Sequence, residues 1–254
     1  MNYDTYFPYG LMHQDRRCRL YCFHHAGGSA FVFKNWLDFS ELVETVPMEV
    51  PDREKPPETL HFEAVIADAA NAIAQTADQR PIFIYGHSLG ALFAFQTAWQ
   101  LEQQYQIEVQ KLFVAGRHAP PEESNSDFKC AHGEAALLQE LKKEGGTPEH
   151  VLEDEVFRSH FLPRIWHDYR LNEEYVYRGE RLDVPIVALS GTEDIDATRW
   201  MMKKWKNVTT AAFVQYAFSG NHFFPYGESE AAVLQTLQCE IQKTLFERNT
   251  EDAE

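Results

Sequence analysis

The chain has 254 residues, 44% hydrophobic and 24% charged, the balance of an ordinary globular protein long enough to bury a sizeable core. Its 39 acidic and 23 basic side chains leave a net charge of −16, which argues against nucleic acid or anionic lipid as the main partner. By the same argument, bulk charge would not recruit an acidic protein, which would need a local basic or apolar patch.

Short apolar runs alternate with helical stretches along the chain. This pattern predicts a mostly parallel sheet with helices on both faces. In chain order the expected strands are Arg19–Phe23, Met48–Val50, Pro81–Tyr85, Lys111–Ala115, Pro185–Leu189 and Ala212–Phe218. The expected helices are Phe33–Val43, Phe62–Ala77, Ala91–Gln103, Glu134–Lys143, Thr198–Lys204 and Glu228–Phe246. From about Pro120 to Tyr175 no convincing strand occurs, which is too long for a plain βα connection. The expectation is a single domain over 1–254, with a helical lid insertion at about 120–175 and a frayed acidic tail from about 247. No apolar run reaches the ~18 residues of a membrane span, and M-N-Y-D-T-Y-F-P-Y-G lacks the pattern of a secretory signal. Cys18, Cys22, Cys130 and Cys239 complete no zinc site, so no metal is expected and a reducing cytoplasm is the expected compartment.

The stretch Pro81–Gly90, P-I-F-I-Y-G-H-S-L-G, carries the most chemistry. A buried strand runs into G-x-S-x-G with Ser88 at its centre, and a helix-forming run follows at once. Strand, sharp turn and helix make a nucleophile elbow, which holds a serine hydroxyl up from the sheet edge. A serine that merely caps the helix is the competing reading. A serine hydroxyl is a weak nucleophile without a base, so the motif demands a histidine, an acid and an oxyanion hole elsewhere in the chain.

Of eleven histidines, His222 alone follows a late apolar run and a turn, A-A-F-V-Q-Y-A-F-S-G-N, before Phe223-Phe224. That puts an imidazole at the strand edge where open α/β sheets build their sites. The acid falls in S-G-T-E-D-I-D after the strand ending at Leu189. Asp194 is favoured there, two residues beyond the Gly191-Thr192 turn, with Glu193 and Asp196 as rivals. The order Ser88, Asp194, His222 has spacings of 106 (194 − 88) and 28 (222 − 194), and it is the α/β-hydrolase order. For the oxyanion hole, Leu89 follows the nucleophile, and Ala26 lies in H-H-A-G-G-S after the first strand. His24 and His25 flank that loop and are expected to line the pocket mouth. The lid aromatics Phe157, Phe161 and Trp166 could cover an acyl chain, or could equally pack lid against body.

Together these segments resemble the type II thioesterases that accompany nonribosomal peptide and polyketide synthetases, over nearly the whole chain. L-Y-C-F-H-H-A-G-G-S-A, G-H-S-L-G-A, L-F-V-A-G-R-H-A-P, F-L-P-R-I-W-H-D-Y-R-L-N-E-E-Y, L-S-G-T-E-D and F-S-G-N-H-F-F occur in the family's order. The resemblance implies an α/β-hydrolase fold, nucleophile Ser88, acid Asp194, base His222 and oxyanion donors Ala26 and Leu89. It further implies hydrolysis in trans of acyl groups from the 4′-phosphopantetheine arm of acyl or peptidyl carrier proteins, with no cofactor held by the enzyme and a monomer as the default state. The family usually has proline where His24 stands, and Pro-Gly-Arg where this chain has Pro51-Asp52-Arg53; both departures bear on pocket shape. Read from the residues alone, a small-molecule carboxylesterase or lipase, a product-releasing thioesterase, or a silent hydrolase-fold binding protein would use the same scaffold.

Overall fold

The computed structural model describes residues 5–51, 53, 59–122 and 128–251. Six parallel strands form one sheet: β1 Cys18–Phe23, β2 Val43–Met48, β3 Ile82–His87, β4 Val109–Ala115, β5 Ile186–Gly191 and β6 Phe213–Phe218, in the order β2-β1-β3-β4-β5-β6. The chain winds outward from β1 to β2, then crosses back to place β3 on the other side of β1. The loops leaving β1 and β3 therefore diverge from adjacent strand ends. Such a switch point is where an open α/β sheet forms a crevice.

Central strands that read as continuous apolar runs are divided between two cores. Tyr21 and Phe23, Ile82 and Ile84, Leu112 and Val114, and Ile186 and Ala188 face the core built with α1 Phe62–Thr76 and α2 Leu89–Gln100. Leu20 and Cys22, Phe83 and Tyr85, Phe113 and Ala115, and Val187 and Leu189 face α7 Glu230–Glu251 and the short 3-10 helix Ala30–Trp36. Side chains alternate across a strand, so a strand buried on both faces needs no polar residues.

Three expectations are corrected. Phe33–Val43 is not one helix: the 3-10 turn ends at Trp36, and Val43–Met48 is a strand rather than Met48–Val50. The segment V-E-T-V-P-M hides its strand character behind Glu44, Thr45 and Pro47. Proline is tolerated because β2 is an edge strand. Glu44 is buried against Arg19 Nε at 2.9 Å and Arg80 at 3.2 Å, and the Thr45 hydroxyl donates to the Trp36 carbonyl at 2.8 Å. Lastly, α7 runs on to Glu251 instead of fraying from 247. Extending a formed helix adds one hydrogen bond per residue fixed, and Arg248 pairs with Glu108 at 3.5 Å.

Between β4 and β5 the described residues hold helices α3 Glu134–Glu144, α4 Glu149–Leu152 and α5 Leu162–Glu174 and no strand. Leu137, Leu141, Leu152, Leu162 and Ile165 give this insertion a small core of its own. After β5, α6 Arg199–Met202 continues as a 3-10 turn, Lys203–Val208.

Because Glu44 is 1% exposed and Arg19 only 4%, Glu44→Ala removes a buried carboxylate that Arg19 and Arg80 share, leaving Arg19 to Asp78 at 3.1 Å and the Thr76 carbonyl. We expect a loss of about 3 kcal/mol in urea unfolding, largely restored when Arg19→Met and Glu44→Leu are combined.

Candidate active site

Ser88 sits at φ 55°, ψ −122°, between the end of β3 and the first residue of α2. Left-handed φ in a residue with a Cβ is strained, and the surroundings hold it. The Ser88 amide donates to the Ala115 carbonyl at 2.8 Å, and its carbonyl accepts from the Ala91 amide at 2.9 Å. The hydroxyl makes no helix-capping hydrogen bond, which removes the competing role for this serine. A Cβ on Gly86 would lie 2.0 Å from the Gly90 carbonyl oxygen, and one on Gly90 would lie 2.3 Å from the Phe23 carbonyl oxygen. The two glycines thus let β3, α2 and the end of β1 meet backbone to backbone.

His222 follows the Gly220-Asn221 turn after β6. Its Nδ1 lies 3.0 Å from Asp194 Oδ2. The other oxygen, Asp194 Oδ1, accepts from the amides of Asp196 and Ala197, each at 3.0 Å. Asp194 is 4% exposed, whereas Glu193 is exposed and Asp196 is turned toward Lys143 at 3.5 Å. Of the three rival acids, only Asp194 is buried and partnered to the imidazole. Burial opposes ionisation of Asp194, but the His222 hydrogen bond and charge and the two amides hold its carboxyl below the usual range. Burial also works against a charged His222, yet the Asp194 hydrogen bond and the charges of Asp194, Glu144 and Asp196 hold the imidazole above the ordinary histidine range.

Two other histidines nearby are kept neutral. Burial, followed by the charges of His24, His222 and Arg53, pushes His25 down to about 3. Burial, then His222 and His25, pushes His87 well down. The buried His87 Nε2 lies 2.8 Å from the His222 carbonyl oxygen. A carbonyl only accepts, so Nε2 carries the hydrogen and the ring braces the backbone of residue 222.

Ser88, Leu89, Ala26, His25 and His222 border one cavity, together with Phe128, Tyr169, Phe223 and the carboxylates of Glu140, Glu144, Glu173 and Asp196. Four of the expected pocket residues do not line it. His24 is 3% exposed and turned under the loop, with Nδ1 donating to the His25 carbonyl at 2.8 Å and Nε2 3.5 Å from Glu49. Phe157 and Phe161 stack on each other at 6.0 Å between ring centres, with Phe161 half exposed, and Trp166 packs on Phe128 within the insertion. The aromatic stripe serves packing within the insertion. The Asp52 departure lies outside the described residues; the His24 departure places a hydrogen-bonding ring against Glu49.

Sequence reasoning missed what supports the loop after β1. Asp168 of α5 accepts from the Gly27 amide at 2.7 Å and from Arg53 Nη1 at 2.8 Å on the same oxygen. Arg53 Nη2 donates to the Gly28 carbonyl at 2.9 Å and to Glu49, which also accepts from the Ala30 amide at 2.9 Å. Arg53 and Asp168 are each 1% exposed. Gly27, at φ +75°, also packs under α5: a Cβ there would meet Ile165 at 2.7 Å. The loop that carries Ala26 is thus clamped between a buried ion pair and a helix of the insertion. The only sequence signal was that Arg53 and Asp168 fall inside segments shared with the resembled family.

Residues 18–240 match the thioesterase domain family. The chain belongs to that family. It is 32% identical to the gramicidin S biosynthesis protein GrsT of Aneurinibacillus migulanus, covering 95% of this chain and 96% of that one. It is 33% identical to the thioesterase PikA5 of Streptomyces venezuelae, covering 81% of this chain and 75% of that one. Among solved structures it is similar to the type II thioesterase BorB from the borrelidin biosynthetic cluster, at a TM-score of 0.77 and 30% identity over 91% of this chain and 94% of that one. The resemblance to type II thioesterases therefore holds, the sheet is that of an α/β-hydrolase, and the protein is an enzyme that hydrolyses thioesters.

Asp168→Asn keeps an acceptor for Gly27 but removes the charge opposite Arg53. We expect kcat for thioester hydrolysis to fall on the order of tenfold with KM little changed, as for a small displacement of an oxyanion-hole loop. As the expected base, His222 would take a proton only when neutral, so the acidic limb of kcat/KM should lie above the ordinary histidine value. Glu144→Gln removes a negative charge that favours the imidazolium, so that limb should move to lower pH, by less than about one unit.

Proposed function

We propose that the enzyme hydrolyses acyl groups from the phosphopantetheine arm of acyl or peptidyl carrier proteins in trans, through an acyl-serine intermediate. The observation that supports this most is the Asp194–His222 pair at 3.0 Å on the same cavity as Ser88, in a chain of the thioesterase domain family.

In this reading Ser88 attacks the thioester carbonyl while His222 takes its proton, and Asp194 stabilises the imidazolium. The amides of Leu89 and Ala26 receive the oxyanion. The tetrahedral intermediate collapses by expelling the pantetheine sulfur, which receives the proton held by His222 and departs as the thiol. A thiol has a pKa of about 8.5, so it leaves with little help from a proton donor. Water, deprotonated by His222, then attacks the acyl-serine, and collapse releases the acid and Ser88. Acting on the acyl groups of another protein suits an editing role, the clearing of carriers loaded wrongly or stalled. The helices over the cavity would then serve as a lid. We place the enzyme in the cytoplasm as a monomer; its four free thiols, two of them buried, suit a reducing compartment. Among the described residues no helix is long and apolar enough to cross a membrane.

Ser88→Ala and His222→Ala should each lower turnover of an acyl carrier protein thioester on the order of a million-fold, because the members of such a unit fail together. Most of the activity surviving in either variant would sink the mechanism. A fluorophosphonate probe should label Ser88 in the wild type. Faster hydrolysis of a matched oxygen ester than of the carrier thioester would assign the protein to small-molecule esterases instead.

A further inference from the structure

We infer that an exposed basic ledge formed by Arg199, Trp200, Lys203, Lys204 and Lys206 is the docking surface for an acidic face of the carrier domain. This rests on the carrier-directed reading above. The chain as a whole is acidic, yet four of its cations fall within the eight residues 199–206, R-W-M-M-K-K-W-K. Met201, Met202 and Trp205 of this segment turn inward and are at most 7% exposed. The cationic side chains turn outward or lie half-buried, and Trp200, Lys203, Lys204 and Lys206 line a shallow surface groove.

Two features separate this ledge from an ordinary solvated face. Many cations elsewhere are matched, as in Arg158–Glu134 at 2.8 Å and Lys111–Glu240 at 2.8 Å. Among the described residues, none of Arg199, Lys203, Lys204 or Lys206 forms an ion pair. Their charge is left for an external partner. The second feature is Trp200, 66% exposed, with Lys204 Nζ 4.4 Å from its ring centre. A tryptophan held at the surface under a cation is a stiff aromatic anchor of the kind that dominates interface energetics.

The ledge also lies where a carrier has to be. It grows from the loop that carries Asp194, and Asp196 of that loop borders the cavity. The three residues from Asp196 to Arg199 (199 − 196) span at most about 10 Å. The cavity itself is lined by the carboxylates of Glu140, Glu144, Glu173 and Asp196 together with Arg117 and Lys129, so it offers an acidic partner no uniformly basic face. A docking face set to one side satisfies both demands: the acidic surface rests on the ledge while the flexible arm enters the cavity.

The test is charge reversal, Lys203→Glu with Lys204→Glu, and separately Trp200→Ala. Steady-state hydrolysis is measured on an acyl carrier protein thioester and on the same acyl group carried by free pantetheine. With the carrier substrate we expect kcat/KM to fall on the order of tenfold or more, mainly through KM, and the wild-type value to decline as salt is raised. With acyl-pantetheine both variants should match the wild type. Carrier turnover by the charge-reversed enzyme equal to wild type would overturn the ledge as a docking surface while leaving the carrier-directed function standing. A wild type with no preference for the carrier over free pantetheine would remove that function, and the ledge's role with it. Charge-sensitive sedimentation with phosphatidylserine vesicles, alongside unchanged carrier turnover, would assign the ledge to a lipid surface and overturn the inference.

Discussion

The site depends first on how closely three pieces of backbone approach one another. At Gly86 and Gly90 the gap between β3, α2 and the last residues of β1 is too small for a methyl group, with imagined Cβ contacts of 2.0 and 2.3 Å. That closeness forces the turn at Ser88 into left-handed φ. It also fixes the amide at the start of α2 relative to the loop leaving β1. The two loops come from strands adjacent in space but separated by a reversal in winding, so they open away from each other and leave room for a substrate. The placement of the expected nucleophile and of both expected oxyanion donors follows from one packing constraint. An alanine at either glycine would have to move the backbone.

Electrostatics then separates four neighbouring histidines into different roles. His25 and His87 lose solvent without gaining an anion and stay neutral. His87 can therefore donate from Nε2 and hold the backbone of residue 222 in place. His222 loses solvent as well, but gains Asp194 as a hydrogen-bonded partner and faces the negative charge of Glu144 and Asp196. It is the one ring among these three for which the charged form is favoured. His24 is spent on structure, tying the His25 carbonyl to the Glu49 side of the loop.

Whatever could be read along the sequence depended on chemistry that is local. G-H-S-L-G implies its own turn, and His222 stood out by following a strand and a glycine turn. The alternation of strands and helices was legible because apolar runs and helical periods are local patterns. The choice of Asp194 over Glu193 and Asp196 was not local: it depends on two amides turned back onto one carboxylate and on an imidazole from the next loop. Strand β2 was misplaced because Glu44 and Thr45 read as surface residues until Arg19 and Trp36 are seen beside them. For Phe157, Phe161 and Trp166 the sequence leaves acyl covering and packing equally open, because an aromatic face does not disclose which neighbour it packs on. Arg53 and Asp168, 115 residues apart, carry no mutual pattern at all, although their pairing braces the loop that carries Ala26.

That pairing also ties the insertion to the body of the domain. Lifting α5 off the loop would break the Arg53–Asp168 contact and the Gly27–Asp168 hydrogen bond, leaving Arg53 to Glu49 and the Gly28 carbonyl. The ties of α3 and the segment after it are of another kind. Arg158–Glu134 and Lys142–Glu149 are exposed pairs, each of a type worth about 1 kcal/mol or less. Tyr169–Glu144 is a single hydrogen bond, reached from α5 itself. Beside these pairs, Leu137 and Leu141 of α3 and Leu152 of α4 are buried in one core with Leu162 and Ile165 of α5, so the three helices hold together. Glu140 and Glu144 of α3 border the cavity together with Asp168 and Tyr169 of α5, so the insertion as a packed unit forms one wall of the space beside Ser88, and the buried ion pair fixes that wall to the loop that carries Ala26.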